Sequence, residues 1–447
     1  MAEKENSIIS GPIFPILTKF AFPILLSLIL QALYGAVDLW MVGRFAHNAD
    51  VSAVATGSQT LLIASGMITG LSMGITILLG RATGERDEDK CASIIGTGIW
   101  LFSSLAFVLT LILISAAKPI ASALNAPDSA FTLTVDYIRI CGMGIIFIVA
   151  YNVLNAIFCG LGDSKTPLYF VAIACVVNII GDWFLIDIMK MGARGAAIAT
   201  IAAQAVSVVS TLFMMKRKLR FRIGRSNLKF SASLALSTLK LGTPVALLRM
   251  CNEISYLVIL GFVNTLGEVA SSGVGIAEKL VMFILLVPTA YMSAVSAFTA
   301  QNIGAGKSER AEKTLWVSIM SATVIGGLLS YLSFFHGDML SRLFIEDGMV
   351  VDASSEFLKA TAIECFLLSI AYCFDGYFNG RGYTKLVMIR GMAASLLVRI
   401  PYAYFASMKA EFSLFNIGLS TSFAALFILL FCILEYEVRK HVGRKRI

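Results

Sequence analysis

Two aspartates lie inside long apolar stretches in the first half of the chain, each with a polar residue one helical turn before it. Asp38 follows Tyr34, and Asp182 follows Asn178. Residues four apart lie on the same face of a helix, so each carboxylate shares a face with a hydroxyl or an amide. If these stretches cross a membrane, a central carboxylate costs about 2.5–3.5 kcal/mol, and such residues are usually paired or functional.

The oxygens of this set suit a proton or a hard cation. In helices of alternating direction, Asp38 and Asp182 fall late in outward-running helices and Thr200 falls early in an inward-running one, so they share a depth. No Lys or Arg lies deep in this half, and an unpaired buried carboxylate takes up a proton or binds a cation. We interpret Asp38, Asn178, Asp182 and Thr200 as a proton or cation site. The alternative is a hydrogen-bond network that only holds the helices together.

Other residues in the first half extend this site. Four more side chains are candidates for supporting the site or lining a substrate path: Tyr34, Tyr137, Asn152 and Asn155. For each of these alone, a purely structural role is an equal alternative. Pro23 lies within the first helix, where its missing N–H frees a backbone carbonyl and permits a bend. We predict a hinge at Pro23 that links occupancy at Asp38 to the shape of the helix.

The second half of the chain carries charges of both signs at the predicted membrane depth. These residues are Arg249, Glu253, Glu278, Lys279, Glu364, Asp375 and Arg399. Because the signs balance, we expect most of these charges to neutralise one another. Glu253 and Asp375 remain candidates for a second cation or substrate site. The three histidines are far apart in sequence, so no metal site is predicted beyond a site for Na⁺.

The composition requires a membrane protein. Of 447 residues, 57% are hydrophobic and 14% charged, and the mean hydropathy is +0.82. Soluble domains are about 45–50% apolar and about 25% charged, so a soluble enzyme is excluded. The net charge is +8. Because the basic residues concentrate in short loops and tails, membrane topology explains them better than nucleic-acid binding does, and we expect no nucleic-acid partner.

Twelve stretches are apolar enough to cross a lipid bilayer, which takes about 20 residues per helix. A membrane β-barrel would show short alternating segments instead, so the predicted fold class is an all-α membrane protein. The predicted spans are 16–43, 53–80, 92–116, 131–159, 167–189, 194–215, 240–264, 270–300, 314–335, 356–379, 386–407 and 412–436.

Lys and Arg predict the orientation. The segment 216–229 and the C-terminal tail are strongly basic and should be cytoplasmic. An even number of spans then places the N-terminus in the cytoplasm as well. The first ten residues lack the apolar core of a signal peptide, and we interpret them as a cytoplasmic tail. We therefore expect a multi-pass protein of the cytoplasmic (plasma) membrane with both termini inside.

The two halves of the chain resemble each other. The run Phe158-Cys-Gly-Leu-Gly162 matches Phe378-Asn-Gly-Arg-Gly382, and two other matches share the same register. We predict an N-lobe of six helices over 1–215, a basic cytoplasmic linker over 216–232, and a C-lobe of six helices over 233–447. Because six is even, a pseudo-two-fold axis along the membrane normal should relate the lobes, as in transporters whose substrate path runs between two halves.

No nucleotide site is predicted. The run Gly304-Ala-Gly-Lys-Ser308 contains part of a phosphate-binding loop, but Gln301 stands where its first glycine belongs. The run also ends a predicted membrane helix, whereas a phosphate loop follows a strand. We therefore expect no ATP and no cofactor, and transport driven by an ion gradient.

Several motifs together resemble the MATE family, the multidrug and toxic compound extrusion transporters. The matching elements are Lys19-Phe-Ala-Phe-Pro23, Ala36-Val-Asp38-Leu-Trp-Met-Val-Gly43-Arg44, Gly160-Leu-Gly162-Asp163, Asn178-Ile-Ile-Gly-Asp182 and Gly195-Ala-Ala-Ile-Ala-Thr200. With the internal repeat, the resemblance extends over essentially the whole chain. Gly181 departs from it, because relatives often carry a larger apolar residue there.

The resemblance implies a secondary antiporter that exports small organic, often cationic, compounds in exchange for H⁺ or Na⁺. It implies that Asp38, Asn178, Asp182 and Thr200 bind the coupling ion, and it leaves the choice of ion open. Glu253 and Asp375 match acidic positions that some relatives use instead. The alternative is a lipid-linked precursor flippase of the wider superfamily, which would want extra helices or a basic groove. A membrane-embedded enzyme is not expected, because no paired catalytic set is visible.

Overall fold

The computed structural model describes residues 8–218, 224, 229–409 and 413–444, and the regular structure of these residues is helical throughout. The helices are α1 (Ile13–Phe45), α2 (Asn48–Glu85), α3 (Glu88–Ser115), α4 (Ala117–Ala123), α5 (Asp128–Met143), α6 (Ile145–Gly160), α7 (Lys165–Asp182), α8 (Gly192–Lys218), α9 (Ala232–Asn264), α10 (Glu268–Gly304), α11 (Ser308–Phe335), α12 (Gly337–Ser341), α13 (Gly348–Gly380), α14 (Thr384–Ala393), α15 (Ile400–Ser407) and α16 (Leu414–Arg444). Two π-helical turns extend this set: Trp183–Ile188 continues α7, and Ala394–Arg399 joins α14 to α15.

The predicted all-α membrane fold and its twelve spans are confirmed. Within the described residues, eleven helical segments are each long and apolar enough to cross a membrane, and α5 with α6 makes a twelfth when taken as one span. The prediction of one continuous helix over 131–159 was wrong, because α5 and α6 are bent by 51°. Gly144 stands at the break, where a Cβ would lie 2.2 Å from the Ile201 side chain of α8. Glycine permits both the bend and this close contact.

The chain packs as two compact units, a first unit of residues 22–246 and a second unit of residues 1–21 with 247–447. The divisions fall inside α1 and α9, close to Pro23 and Pro244, so each of these long helices begins in one unit and ends in the other. The predicted lobe limits of 1–215 and 233–447 stay a prediction about the sequence repeat. Most of the predicted linker, 216–232, lies outside the described residues.

Backbone contact through glycine holds the start of α9 in the first unit. A Cβ on Gly74 of α2 would lie 2.2 Å from the Thr238 carbonyl oxygen, and a Cβ on Gly242 would lie 2.2 Å from the Leu71 carbonyl oxygen. Small residues allow membrane helices to approach this closely, and van der Waals packing then favours their association. This contact explains why the start of α9 packs with α2.

Gly74→Ala is expected to destabilise the protein. The added methyl group would overlap a backbone oxygen, which can move only if α9 shifts, and overpacking of this kind costs about 1–3 kcal/mol. Thermal unfolding in detergent measures the loss. The matched control is Gly66→Ala on the same helix, where a Cβ meets nothing within 4 Å. Equal melting temperatures for the two variants would contradict the packing described for α2 and α9.

A polar network centred on Asp163 lies at the loop between α6 and α7 in the first unit. The Asp163 carboxylate accepts hydrogen bonds from the Thr166 amide at 3.0 Å and from Lys218 Nζ at 3.1 Å. Burial alone would raise the pKa of Asp163, but the bonds from Thr166 and Lys218 outweigh it and lower that pKa below its usual value. The network ties the last residue of α8 to the start of α7.

The lowered pKa of Asp163 predicts a pH-dependent contribution to stability. The carboxylate stabilises the folded state above the pKa it has in the unfolded chain, about 3.9, and this contribution is lost as the pH falls through the lower folded value. Because the group is partly exposed, we expect Asp163→Asn to cost no more than about 1 kcal/mol at pH 7. Unfolding of both proteins over a pH series measures the difference. A difference that does not shrink in acid would contradict the ionic origin.

Candidate functional site

The four predicted ion ligands are all buried in the first unit. Asp38 lies on α1, Asn178 and Asp182 on α7, and Thr200 on α8, and Asp182 is fully buried. The carboxyl groups of Asp38 and Asp182 are neighbours that interact with each other. The structure therefore brings together two carboxylates that are far apart in sequence, as the depth argument predicted.

Helices α7 and α8 pack closely at the residues that precede Asp182 and Thr200. A Cβ on Gly181 of α7 would lie 3.1 Å from Ala199 Cβ of α8. The residues that follow these two in the chain are Asp182 and Thr200. Gly181 therefore permits tight packing of α7 against α8.

Seven buried polar atoms of the predicted ion ligands and Gln204 lack hydrogen-bond partners among the described residues. The atoms concerned are Asp38 Oδ1, both side-chain polar atoms of Asn178, both carboxylate oxygens of Asp182, Thr200 Oγ1 and Gln204 Oε1. An unsatisfied buried donor or acceptor costs about 1–3 kcal/mol, and more when it is charged. A merely structural network would satisfy its own members, so this arrangement fits a site built for a proton or a cation.

No Lys, Arg or His among the described residues pairs with either of the two carboxylates, Asp38 and Asp182. Two adjacent carboxylates in a low-dielectric interior repel each other, and one of them is then favoured to hold a proton or to share a bound cation.

The predicted supporting residues divide into two groups. Tyr34 and Tyr137 lie close enough to Asp38 to interact with it electrostatically. Asn152 instead bonds to Thr69, with Oγ1 and Oδ1 2.8 Å apart, and so links α6 to α2. Asn155 Oδ1 accepts a bond from a cysteine one turn along its own helix. Both asparagines thus make the kind of hydrogen bond that the structural alternative expects, whereas both tyrosines lie near Asp38. The proposed supporting role of all four residues stays a prediction.

Gln204 belongs to the cluster and was missed from the sequence. It is buried on α8, one turn after Thr200, and its side chain contacts the Tyr34 hydroxyl. The spacing of four residues from Thr200 placed it on the same face and could have identified it.

A π-helical turn follows Asp182 directly. Trp183–Ile188 continues α7 without a break. Such turns are rare and frequently occur at functional sites, because the extra residue per turn displaces backbone hydrogen bonds and widens the helix. The turn places a departure from regular α-helix next to the buried carboxylate.

Among the described residues, the two buried acids of the second unit, Glu364 and Asp375, are each paired with an arginine. Arg390 bonds to both Asp375 and Glu435, and Arg399 Nη2 lies 2.6 Å from Glu364 Oε1. The expected balance of charges is thus observed for these pairs, although Arg390 and Glu435 were not identified from the sequence. Asp375 has a guanidinium partner, whereas no arginine in the described part of the chain pairs with Asp38 or Asp182.

The structure does not join Glu253 and Asp375 in one cluster among the described residues. The Glu253 side chain is exposed, and its electrostatic neighbours include Arg249 and Glu278. Asp375 is buried beside Arg390 and Glu435. The candidate second site at Glu253 and Asp375 stays a prediction, and the geometry supports it less than it supports the cluster in the first unit.

Comparison with known proteins agrees with this architecture. The MatE family model matches the chain twice, over residues 23–184 and 244–405, in register with the internal repeat. A probable multidrug resistance protein, YpnP of Bacillus subtilis, is 28% identical over 426 residues, covering 95% of each chain. Multidrug export protein MepA of Staphylococcus aureus is 23% identical over 423 residues, covering 94% of each chain.

Solved structures match the fold. An outward-facing multidrug resistance MATE family transporter of the MOP superfamily superposes with a TM-score of 0.92 at 19% identity, covering 100% of both chains. A MOP superfamily transporter from Pyrococcus furiosus superposes with a TM-score of 0.91 at 19% identity, covering 98% of this chain and 99% of that one. With twelve spans, a doubled family match and relatives over nearly its whole length, the chain belongs to the MatE family of multidrug and toxic compound extrusion transporters.

Proposed function

We propose that this protein is a secondary antiporter that exports small organic, often cationic, compounds in exchange for H⁺ or Na⁺. One observation carries the proposal: the first unit buries two adjacent carboxylates without a cationic partner among the described residues. The names of the relatives, multidrug resistance and multidrug export proteins, support the substrate class.

The proposed coupling step is the arrival of a cation at Asp38 and Asp182. A proton can be shared by the two carboxyl groups, because they are neighbours. Na⁺ would instead be held by the oxygens of the carboxylates together with Asn178, Thr200 and Gln204, which are ligands of the type that hard cations prefer. Either ion removes the repulsion between the carboxylates and changes how α1 packs against α7.

We propose that this change alternates access to the substrate site. An ion shifts a conformational equilibrium only as far as its affinity for the two states differs. Pro23 lies in α1 near the point where the helix passes from the second unit to the first. Because proline leaves the preceding turn without one backbone bond, α1 can bend there at low cost. The hinge role of Pro23 is part of this proposal.

The proposed setting is the cytoplasmic membrane, with both termini inside. The short, Lys- and Arg-rich connections support this orientation through the positive-inside rule. The proposal requires small organic substrates, the lipid bilayer and an ion gradient, and it requires neither ATP nor a nucleic acid.

Ethidium transport in proteoliposomes under separate ion gradients tests the proposal. An imposed H⁺ gradient without Na⁺, or an imposed Na⁺ gradient at equal pH, should drive ethidium across the membrane in the direction opposite to the ion. The gradient that succeeds identifies the coupling ion. Transport that proceeds equally without either gradient would overturn the antiport proposal.

A further inference from the structure

The first described residues of the chain are held by one arginine. The guanidinium of Arg310 donates to three backbone carbonyls: Nε to Ile8 at 3.1 Å, Nη2 to Ser10 at 3.1 Å and Nη1 to Gly11 at 2.8 Å. The planar guanidinium presents five N–H donors in a fixed geometry, so one side chain can bind three acceptors at once. We name residues 8–11 the N-terminal strap.

Two further side chains complete this attachment. Lys307 Nζ donates to the Ile9 carbonyl at 2.8 Å, and Asn302 Nδ2 donates to the Ile8 carbonyl at 3.4 Å. The Ile8 and Ile9 side chains are themselves buried. All the acceptors are backbone oxygens, so the specificity of the attachment resides in the donors at the junction of α10 and α11.

The start of α1 continues this attachment within the second unit. Leu17 is fully buried, and the Phe20 ring meets the Phe298 ring of α10 edge to face, with centroids 5.6 Å apart. Beyond Ala21, α1 belongs to the first unit, where it carries Asp38. One continuous helix is thus fastened to the second unit at its start and bears an ion ligand in the first unit near its end.

We propose that Arg310 is a positioning residue for ion coupling: it fixes the start of α1 to the second unit throughout the transport cycle. A change in α1 beyond Pro23, caused by an ion at Asp38, then acts on the second unit instead of being lost as movement of a free helix end. This inference rests on the proposed antiport function. The proposed anchor is permanent and lies away from the ion. It determines how much of the free energy of ion binding is available to change the second unit.

Arg310→Ala and Arg310→Lys test the anchor, with Lys313→Ala as the matched control on an exposed residue of the same helix. Trp40 and Trp183 lie beside Asp38 and Asp182 in sequence, so tryptophan fluorescence during NaCl or acid titration reports ion binding. For Arg310→Ala we expect ion-driven ethidium transport to fall about tenfold or more, which is within the usual range of coupling between two sites. The midpoint of the ion titration should change by less than about twofold, because the ion ligands are intact. Arg310→Lys should recover only part of the transport. The ammonium can still donate to the carbonyls, but it cannot bridge all three in the same geometry.

Ethidium transport by Arg310→Ala within about twofold of the wild-type rate would overturn the anchor proposal. An equal loss of transport in Lys313→Ala would overturn it as well. Failure of the antiport proposal is distinguishable, because it would leave Asp38→Asn with wild-type transport whatever Arg310→Ala does. If Arg310→Ala does not fold, a second variant decides. Ile9→Cys with Lys307→Cys, joined by a short bismaleimide, should still transport ethidium, since a permanent anchor never releases. Loss of transport on cross-linking, restored when the thiols are left unjoined, would overturn the proposal.

Discussion

Asp38→Asn and Asp182→Asn are each expected to abolish ion-driven export while the protein still inserts and folds. Each amide keeps the shape of the side chain but removes one negative charge from the buried pair. Loss of one partner of a buried charged contact costs about 2–5 kcal/mol, which corresponds to ion binding that is weaker by about 30-fold or more. Initial rates of ethidium transport in proteoliposomes under an imposed ion gradient measure the effect.

The thermal stability of these two variants should not fall below that of wild type. Asp38 Oδ1 and both carboxylate oxygens of Asp182 are buried without a hydrogen-bond partner among the described residues, so these carboxylates destabilise the folded state. A neutral amide lowers this cost. Asp187→Asn is the matched control, because Asp187 follows Asp182 on the same helical segment and pairs with the exposed Lys190. Full transport by both Asp38→Asn and Asp182→Asn would show that the coupling site lies elsewhere.

Arg390→Met is expected to have the opposite profile, a large loss of stability. Arg390 is 3% exposed and is the common partner of Asp375 and Glu435, so its removal leaves one buried and one half-buried carboxylate without their cation. Breaking a buried ion pair from one side costs about 3–5 kcal/mol. Thermal unfolding in detergent measures the loss, and Arg342→Met, on an exposed arginine, is the control.

A compensating change separates charge from packing in this experiment. Adding Asp375→Asn to Arg390→Met removes one of the stranded charges and should restore part of the lost stability. If the double variant is no more stable than Arg390→Met alone, lost packing rather than unpaired charge explains the defect. A melting temperature of Arg390→Met equal to that of Arg342→Met would contradict the buried network altogether.

The aspartate variants are expected to lose transport and Arg390→Met to lose stability, because buried carboxylates have different partners in the two halves of the repeat. The family match covers both halves, at 23–184 and 244–405, yet the buried Asp38 and Asp182 of the first half have no ion-pair partner among the described residues. In the second half, Arg390 and Arg399 are paired with acids. A repeated scaffold can thus hold an ion-responsive site in one half and a fixed charge network in the other.

The spans and the carboxylate cluster were predictable from the sequence, because both follow from local rules. Apolar length predicts a membrane helix, and the position of Asp38 and Asp182 along helices of known direction predicts a shared depth. The break at Gly144 was not predictable, because apolar content is the same in a straight span and a bent one. It depends on the contact with Ile201, which only the tertiary structure reveals.

Two further features were not predictable from the sequence. They are the ion-pair partners of buried side chains and the unit in which the starts of α1 and α9 pack. The pairing of Arg390 with Asp375 and Glu435 depends on how α13, α14 and α16 are arranged. The start of α9 packs in the first unit through close backbone contacts such as that of Gly74. The start of α1 packs in the second unit, where Arg310 binds the backbone carbonyls that precede it. A backbone carbonyl occurs at every residue, so the sequence carries no signal for such a partner.

The most direct test of ion-coupled export is substrate-driven ion movement. Proteoliposomes are prepared with equal pH and equal Na⁺ on both sides and are then given an ethidium gradient, while pH-sensitive and Na⁺-sensitive dyes report ion flux. The wild-type protein should move H⁺ or Na⁺ against the direction of ethidium, and Asp38→Asn should move neither. Ethidium crossing at full rate without any ion flux, or equal ion flux in Asp38→Asn, would contradict coupling at the carboxylate pair.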